Sequence, residues 1–131
     1  MEECKNAAAL PPTPALAYLG DAVHALYVRQ MLVREGIPKS GALNARALEY
    51  ITAPAQARLA RRILPLLTQE EADVYRRAGN HRLERPKHAT AAEYRAATGF
   101  EAVLGMLYYL GRTERLQALL DAAHANAEPT P

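Results

Sequence analysis

The sequence predicts one all-α domain, and three observations support that fold class. Apolar residues recur at helical spacing over most of the 131 positions, no segment of adequate length alternates apolar and polar residues, and helix-capping residues stand between the apolar runs. No repeat, low-complexity tract or flexible linker divides the chain. We therefore expect residues 1–131 to form a single domain of about six or more helices, with 1–12 as an N-terminal tail and 126–131 as a frayed C-terminus.

The first helix is predicted over residues 14–35. Thr13 offers a side-chain cap, and Pro14 suits the first helical position because the amide proton it lacks has no partner there. Gly36 is expected to end the helix.

Apolar residues surround most of this first helix, which predicts a central position in the fold. The stripe expected to face the core consists of Leu16, Leu19, Val23, Leu26, Tyr27 and Met31, widened by Ala17, Ala25, Val28 and Leu32. Gly20 lies inside the helix, where glycine costs about 1 kcal/mol relative to alanine. This glycine predicts either the close approach of another backbone or space beside Asp21, and ordinary helix packing is the alternative.

Two shorter helices should follow. Ser40 is predicted to cap a helix over residues 40–51, and Thr52 to cap another that runs to Leu64. Pro65 then bends or ends that helix.

Two capping boxes, Thr68 to Glu71 and Thr90 to Glu93, predict the starts of the fourth and fifth helices. The fourth is expected at about residues 69–78, closed by Gly79-Asn80, and the fifth runs to about Leu110 and is ended by Gly111. Thr113 begins a last amphipathic helix whose inward residues are Leu116, Leu119, Leu120 and Ala123.

Composition excludes several classes of protein. A single cysteine, Cys4, rules out an internal disulfide and a zinc cluster built on thiolates. We find neither a signal-peptide pattern nor an apolar run of the roughly 20 residues that a membrane span requires. We therefore expect a cytoplasmic protein without a membrane partner.

Two isolated carboxylates are the first indication of function. Asp21 is the only charge between Lys5 and Arg29, and Glu101 is the only charge between Arg95 and Arg112. Burying such groups without a partner costs several kcal/mol, and oxygen ligands suit Mg²⁺, so the pattern favours one shared metal site. The alternative is that both acids cap neighbouring helices or contact solvent at the end of a bundle.

Basic residues cluster between the fourth and fifth helices. The segment from residue 76 to residue 95 carries a net charge of +4, although the whole chain carries only +2. An exposed loop is expected over residues 80–89. Such a cluster is either a nucleic-acid contact or an ordinary solvated surface.

Both acidic stretches resemble those of one enzyme family. LAYLGDAVHALYVRQ, with its core Leu19-Gly20-Asp21-Ala22-Val23, resembles the signature helix of ribonuclease III, and GFEAVLGMLYYLG resembles the second acidic helix of that family. The likeness covers nearly the whole chain and leaves no room for a double-stranded-RNA-binding domain. It is therefore nearest to the compact Mini-III branch, whose loop resembles Arg85-Pro86-Lys87-His88 followed by Tyr94-Arg95.

The resemblance implies hydrolysis of double-stranded RNA, plausibly ribosomal RNA precursors of the 23S type. Asp21 and Glu101 would hold Mg²⁺, with Mn²⁺ as a substitute. The two further acids of full-length family members are replaced here by Ala17 and Thr98, so a preassembled two-metal site is not expected. No side chain is assigned as general base, and His24 is expected to serve packing or to lie at the surface.

The resemblance also implies a homodimer in which Tyr18 inserts into the partner, with a core tyrosine as the equal alternative. Without an accessory domain, the catalytic domain itself must bind RNA. The predicted contacts are Arg76, Arg77, Arg82, Arg85, Lys87 and His88.

Two other classes of function stay open at this point. One is a non-catalytic dimeric RNA-binding or ribosome-associated module that keeps the fold, which the intact Asp21 and Glu101 disfavour. The other is a helical protein-interaction scaffold, which leaves the isolated carboxylates and the basic segment unexplained.

Overall fold

Two long helices, α1 (Thr13–Arg34) and α5 (Ala91–Tyr109), cross at the centre of the fold. The computed structural model describes residues 10–81 and 88–125. The other helices of these ranges are α2 (Ser40–Ile51), α3 (Ala53–Ile63), α4 (Gln69–Asn80) and α6 (Thr113–His124), with a 3₁₀ turn at Leu64–Leu66. The described residues contain no strand, and the all-α prediction is confirmed.

The core is built around α5, which is buried almost without interruption from Ala97 to Leu107. Helices α1, α3 and α4 pack against it, and α6 closes the end between α3 and α5. The predicted inward residues of α6 are all buried. Helix α2 packs on the outer side of α1, where Tyr50 joins Val28 and Leu32 in a small second cluster.

Several predicted helix ends are confirmed. Both capping boxes form, with Thr68 and Glu71 opening α4 and Thr90 and Glu93 opening α5. Thr52 caps α3 by accepting a hydrogen bond from an amide of its first turn. Helices α1 and α5 end before glycines with positive φ, of 84° at Gly36 and 74° at Gly111, a conformation that glycine adopts without a steric penalty.

Two predicted caps are wrong. Pro12, not Thr13, precedes α1, because its carbonyl already accepts hydrogen bonds from the amides of Ala15 and Leu16. Lys39, not Ser40, precedes α2, because its carbonyl accepts from the amide of Leu43.

The predicted end of α4 at residue 78 is also wrong, since the helix continues through Gly79 and Asn80. A Cβ atom at Gly79 would lie 3.0 Å from the carbonyl oxygen of Arg95 on α5. The glycine therefore serves the packing of two helices, and it does not stop α4.

The buried face of α1 differs from the predicted stripe. Its buried residues repeat every three or four positions and are Thr13, Leu16, Ala17, Gly20, His24, Val28 and Leu32. Leu26 is 69% exposed and Tyr18 is 84% exposed, so much of the apolar circumference lies at the surface. The reason is steric, because the small residues Ala17 and Gly20 admit α5 where larger side chains would exclude it. Among the described residues, no helix has the length and apolarity that crossing a bilayer requires.

Candidate active site

The two central helices touch backbone to backbone at two glycines. A Cβ atom built on Gly20 would lie 1.6 Å from the carbonyl oxygen of Glu101, and one on Gly105 would lie 1.9 Å from that of Leu16. No side chain larger than hydrogen fits at either position. The expected close approach at Gly20 is confirmed, and it brings the residue after Gly20, Asp21, next to Glu101.

Asp21 and Glu101 line one open cavity of about 340 Å³. Helices α1, α3 and α5 supply most of its lining, which consists of Pro14, Ala17, Tyr18, Asp21, Ile51, Ala53, Gln56, Tyr94, Ala97, Thr98 and Glu101. The structure therefore brings together the two acids that the sequence singled out. Ala17 and Thr98, the positions at which the resemblance would place further acids, face the same cavity.

The two carboxylates differ in their surroundings. Asp21 is exposed, whereas Glu101 is partly buried. Burial raises the pKa of Glu101 to about 8, and the hydrogen bond and negative charge of Asp21 add to the increase. A hydrogen bond from Gln56 acts in the opposite direction. The charged form of Glu101 is therefore costly as long as no cation lies beside it.

The donor set of this cavity suits a hard divalent cation. Its ionisable oxygen ligands are the carboxylates of Asp21 and Glu101, with the Gln56 amide and the Thr98 hydroxyl nearby. Within residues 10–81 and 88–125, no cluster of three or more Asp, Glu, His or Cys side chains could hold a metal. The site fits an ion that keeps several waters and takes further ligands from a substrate.

Gln56, which no pattern in the sequence singled out, is 3% exposed and lies on α3. Its amide nitrogen lies 3.0 Å from Nδ1 of His24, and its side chain also hydrogen-bonds Glu101. Glutamine between alanines in an amphipathic helix gives no signal of this role. The one available clue to its burial is helical periodicity, which places Gln56 among the buried positions of α3.

His24 does not line the cavity. It is fully buried, and burial followed by the neighbouring His124 lowers its pKa to about 3. The expectation that His24 serves packing is therefore confirmed, and the ring has no direct contact with the water of the cavity.

Tyr18 is not a core residue. It stands at the rim of the acidic cavity with 84% of its surface exposed, which makes the core-tyrosine alternative wrong. Its contact with a partner subunit stays a prediction.

The predicted RNA-binding residues fall into two groups. Arg76 and Arg77 lie exposed on α4 and both bind Asp73, and His88 is exposed just before α5. Arg82, Arg85 and Lys87 lie outside the described residues. Beside Arg76, a cleft separates α4 from the start of α5, and it is lined also by Tyr75, Gly79, Asn80, Ala92, Arg95 and Ala96.

The fold and this acidic cavity agree with a family of RNA-cleaving enzymes. The family described as Ribonuclease III domain matches residues 14–112, which include all but the first residue of α1, all of α5 and every residue that lines the cavity. The chain belongs to the ribonuclease III family.

Individual members of that family indicate which of its branches the chain resembles. The chain is 45% identical over 119 residues to Mini-ribonuclease 3 of Symbiobacterium thermophilum, covering 90% of this chain and 91% of that protein. Mini-ribonuclease 3 of Streptococcus pneumoniae is 40% identical over 81% of this chain and 85% of its own length. A crystal structure of a protein from Fusobacterium nucleatum superposes with a TM-score of 0.79 at 27% identity, covering 86% of this chain and 91% of that one.

These matches confirm the resemblance to the Mini-III branch and the ribonuclease III fold. The chain is an endoribonuclease, and its partner is RNA. Assignment as an endoribonuclease excludes the two alternative functions, a non-catalytic RNA-binding module and a protein-interaction scaffold.

Proposed function

We propose that this endoribonuclease cleaves double-stranded RNA with a divalent cation, Mg²⁺ or Mn²⁺, held by Asp21 and Glu101. One observation carries the proposal: two carboxylates from different helices face one cavity, and none of the described residues that line it is basic. Their mutual repulsion and the burial of Glu101 create a site whose charged form a cation stabilises.

A cation bound there would activate a water molecule and neutralise charge that develops on the scissile phosphate. Asp21 and Glu101 fix the position at which that charge is neutralised. Gln56 holds the Glu101 carboxylate by a hydrogen bond, and Tyr18 and Tyr94 border the space that a nucleotide would enter. The neutral Ala17 and Thr98 leave the remaining coordination positions to water and to phosphate oxygens.

We further propose that the basic residues around the end of α4 bind the RNA backbone. They are Arg76, Arg77 and His88, together with Arg82, Arg85 and Lys87 outside the described residues. Tyr94 lines the acidic cavity and the next residue, Arg95, lines the cleft of Arg76, so the two regions are adjacent along α5. A-form RNA is recognised mainly through phosphates and 2′-hydroxyls, which suits this arrangement.

The protein would act as a cytoplasmic homodimer. Beside the acidic cavity, an apolar cleft of about 420 Å³ runs between α1 and α2, and Ile51 borders both. Val33 and Leu48 on its walls are 64% and 57% exposed, and Tyr18 is exposed at the acidic rim. A second copy that covers this surface would set two acidic cavities near each other, one for each RNA strand.

Sedimentation tests the dimer. Leu48→Glu should dissociate it, whereas Leu66→Glu, which changes an apolar residue 49% exposed outside this surface, should not. A wild-type protein that sediments as a monomer at micromolar concentration would refute the homodimer.

The natural substrate that we propose is a structured segment of a ribosomal RNA precursor, as the resemblance to the Mini-III branch implies. The experiment that tests the chemistry is cleavage of a long RNA duplex in Mg²⁺, with and without a chelator. Asp21→Asn and Glu101→Gln should lower the rate about 1,000-fold or more, the loss expected when several kcal/mol of charge stabilisation disappear.

The matched control is Glu114→Gln, because Glu114 is an exposed carboxylate on α6 outside the cavity. It should cleave like the wild type. Equal cleavage by the Asp21 or Glu101 variants, or cleavage that survives the chelator, would overturn the metal assignment.

A further inference from the structure

A buried row of polar side chains leads away from Glu101 into the core. Gln56 hydrogen-bonds Glu101, and its amide nitrogen lies 3.0 Å from Nδ1 of His24. Nε2 of His24 lies 3.0 Å from Nε2 of His124 on α6. All three residues behind Glu101 are at most 5% exposed, so the two hydrogen bonds of His24 lie out of contact with water.

The direction of these hydrogen bonds follows from the carboxylate. Gln56 and Glu101 line the same cavity, and the carboxylate of Glu101, in the charged form that binds a cation, can only accept hydrogen bonds. The donor is therefore the amide NH₂ group of Gln56. The second proton of that group points to Nδ1 of His24, which must accept it.

The protonation of both rings is then determined. With Nδ1 as acceptor, neutral His24 carries its proton on Nε2 and donates it to Nε2 of His124. His124 carries its own proton on Nδ1, and that atom is buried with no hydrogen-bond partner among the described residues. The His24 ring itself is held edge-on against Phe100, the residue before Glu101, with ring centroids 5.1 Å apart.

We infer that His24 is a positioning residue for the proposed metal site, which acts by holding the Gln56 amide in the one orientation that donates to Glu101. Without an acceptor at Nδ1 of His24, the amide can rotate and present its oxygen to the carboxylate. That arrangement repels the charged form of Glu101 that a cation needs. The inference rests on the proposed function, because it assigns Glu101 as a metal ligand.

The test compares two substitutions that differ in one hydrogen-bond acceptor. His24→Asn places an amide oxygen near the position of Nδ1, whereas His24→Leu removes the acceptor and keeps an apolar side chain. Both lose the contact with His124, so a purely structural role would not separate them. Loss of a group that orients a metal ligand typically lowers metal affinity 10- to 100-fold.

Direct binding of Mn²⁺ to the RNA-free protein, followed by the electron paramagnetic resonance of the free ion, is the main measurement. We expect His24→Leu to bind Mn²⁺ about tenfold more weakly and His24→Asn to stay within about threefold of the wild type. Circular dichroism melting checks that both variants are folded. In a Gln56→Leu background, adding His24→Leu should cause no further loss.

A folded His24→Leu variant with wild-type Mn²⁺ affinity would overturn the inference, and so would equal losses in the Asn and Leu variants. If Asp21→Asn and Glu101→Gln also bind Mn²⁺ like the wild type, the proposed metal site itself is wrong.

The wild-type protein supplies a second test that needs no variant. Long-range ¹H–¹⁵N spectra distinguish the two neutral forms of a histidine ring. We expect His24 to carry its proton on Nε2 and His124 on Nδ1. A proton on Nδ1 of His24 would contradict the inference, since that nitrogen could not accept from Gln56.

Discussion

Two glutamates on neighbouring helices, one buried and one partly buried, have opposite surroundings. Glu71 on α4 is 2% exposed and accepts hydrogen bonds from the guanidinium of Arg115, at 2.8 and 2.9 Å, and from the amide of Thr68. Glu101 on α5 faces the carboxylate of Asp21, and within residues 10–81 and 88–125 no Lys or Arg lines its cavity.

The pKa values of the two carboxyls reflect that difference. Burial by itself raises the pKa of Glu71, but the hydrogen bonds and charge of Arg115 and the amide of Thr68 outweigh it and hold the value below 4.5. At Glu101 burial is again the largest cause, and Asp21 adds to it, so the pKa rises to about 8. A carboxylate whose charge is compensated within the chain stabilises the fold, whereas one that faces a second carboxylate is available to an external cation.

The largest effect on stability is expected from a substitution that forces α1 and α5 apart, because these two helices bring Asp21 and Glu101 together. Gly20→Ala places a Cβ atom where the Glu101 carbonyl lies, and we expect a loss of about 4 kcal/mol or more in the free energy of unfolding. Urea denaturation measures it. Gly41→Ala is the matched control, because nothing lies within 4 Å of that helical position, and it should stabilise by up to about 1 kcal/mol. Similar stability of both variants would contradict the close contact of α1 and α5.

Removing the compensated carboxylate should destabilise the fold next most strongly. Glu71→Gln leaves Arg115 without its charge partner, and we expect a loss of about 2 kcal/mol at pH 7. A lowered pKa means that the stabilisation is present above the unfolded value of 4.5 and is lost as the pH falls through the folded value. The difference in the free energy of unfolding between Glu71→Gln and the wild type should therefore become smaller at acidic pH. A difference that stays constant down to pH 3 would show that charge is not its cause.

Replacing Glu101 by Gln should raise the free energy of unfolding at alkaline pH, whereas Glu71→Gln lowers it at pH 7. A raised pKa means that the stabilising contribution is complete below pH 4.5 and is lost as the pH rises through about 8. In metal-free buffer at pH 8 to 9, Glu101→Gln should therefore be more stable than wild type, by about 1 to 2 kcal/mol because the cavity is partly open to water. Chemical denaturation at pH 4 and pH 8.5 measures the difference. A variant less stable than wild type at pH 8.5 would contradict the unfavourable charge at Glu101.

The smallest effect is the response to Mg²⁺. At five times its dissociation constant, a bound ion adds about 1 kcal/mol to the stability of the wild type. Glu101→Gln should show no such increase, and Glu71→Gln should keep it because its substitution lies outside the acidic cavity. Thermal melting in chelator and in rising Mg²⁺ makes the comparison. Equal responses of all three proteins would place the ion elsewhere.

Local signals in the sequence accounted for much of the fold. The capping boxes at Thr68 and Thr90 and the terminal glycines at positions 36 and 111 act within a single helical turn, so neighbouring residues suffice to predict them. Asp21 and Glu101 were recognisable for a similar reason, because each is the only charge in a long apolar run.

Tertiary structure alone decided two features of the molecule. The buried face of α1 could not be read from a helix that is apolar on most sides, since the glycine contacts with α5 set its rotation. Gln56 and His124 join the site region from positions 32 and 100 residues away from His24, and no local pattern links them. Helix positions follow from short-range hydrogen bonding, whereas the grouping of polar side chains around Glu101 depends on which helix surfaces meet in the folded chain.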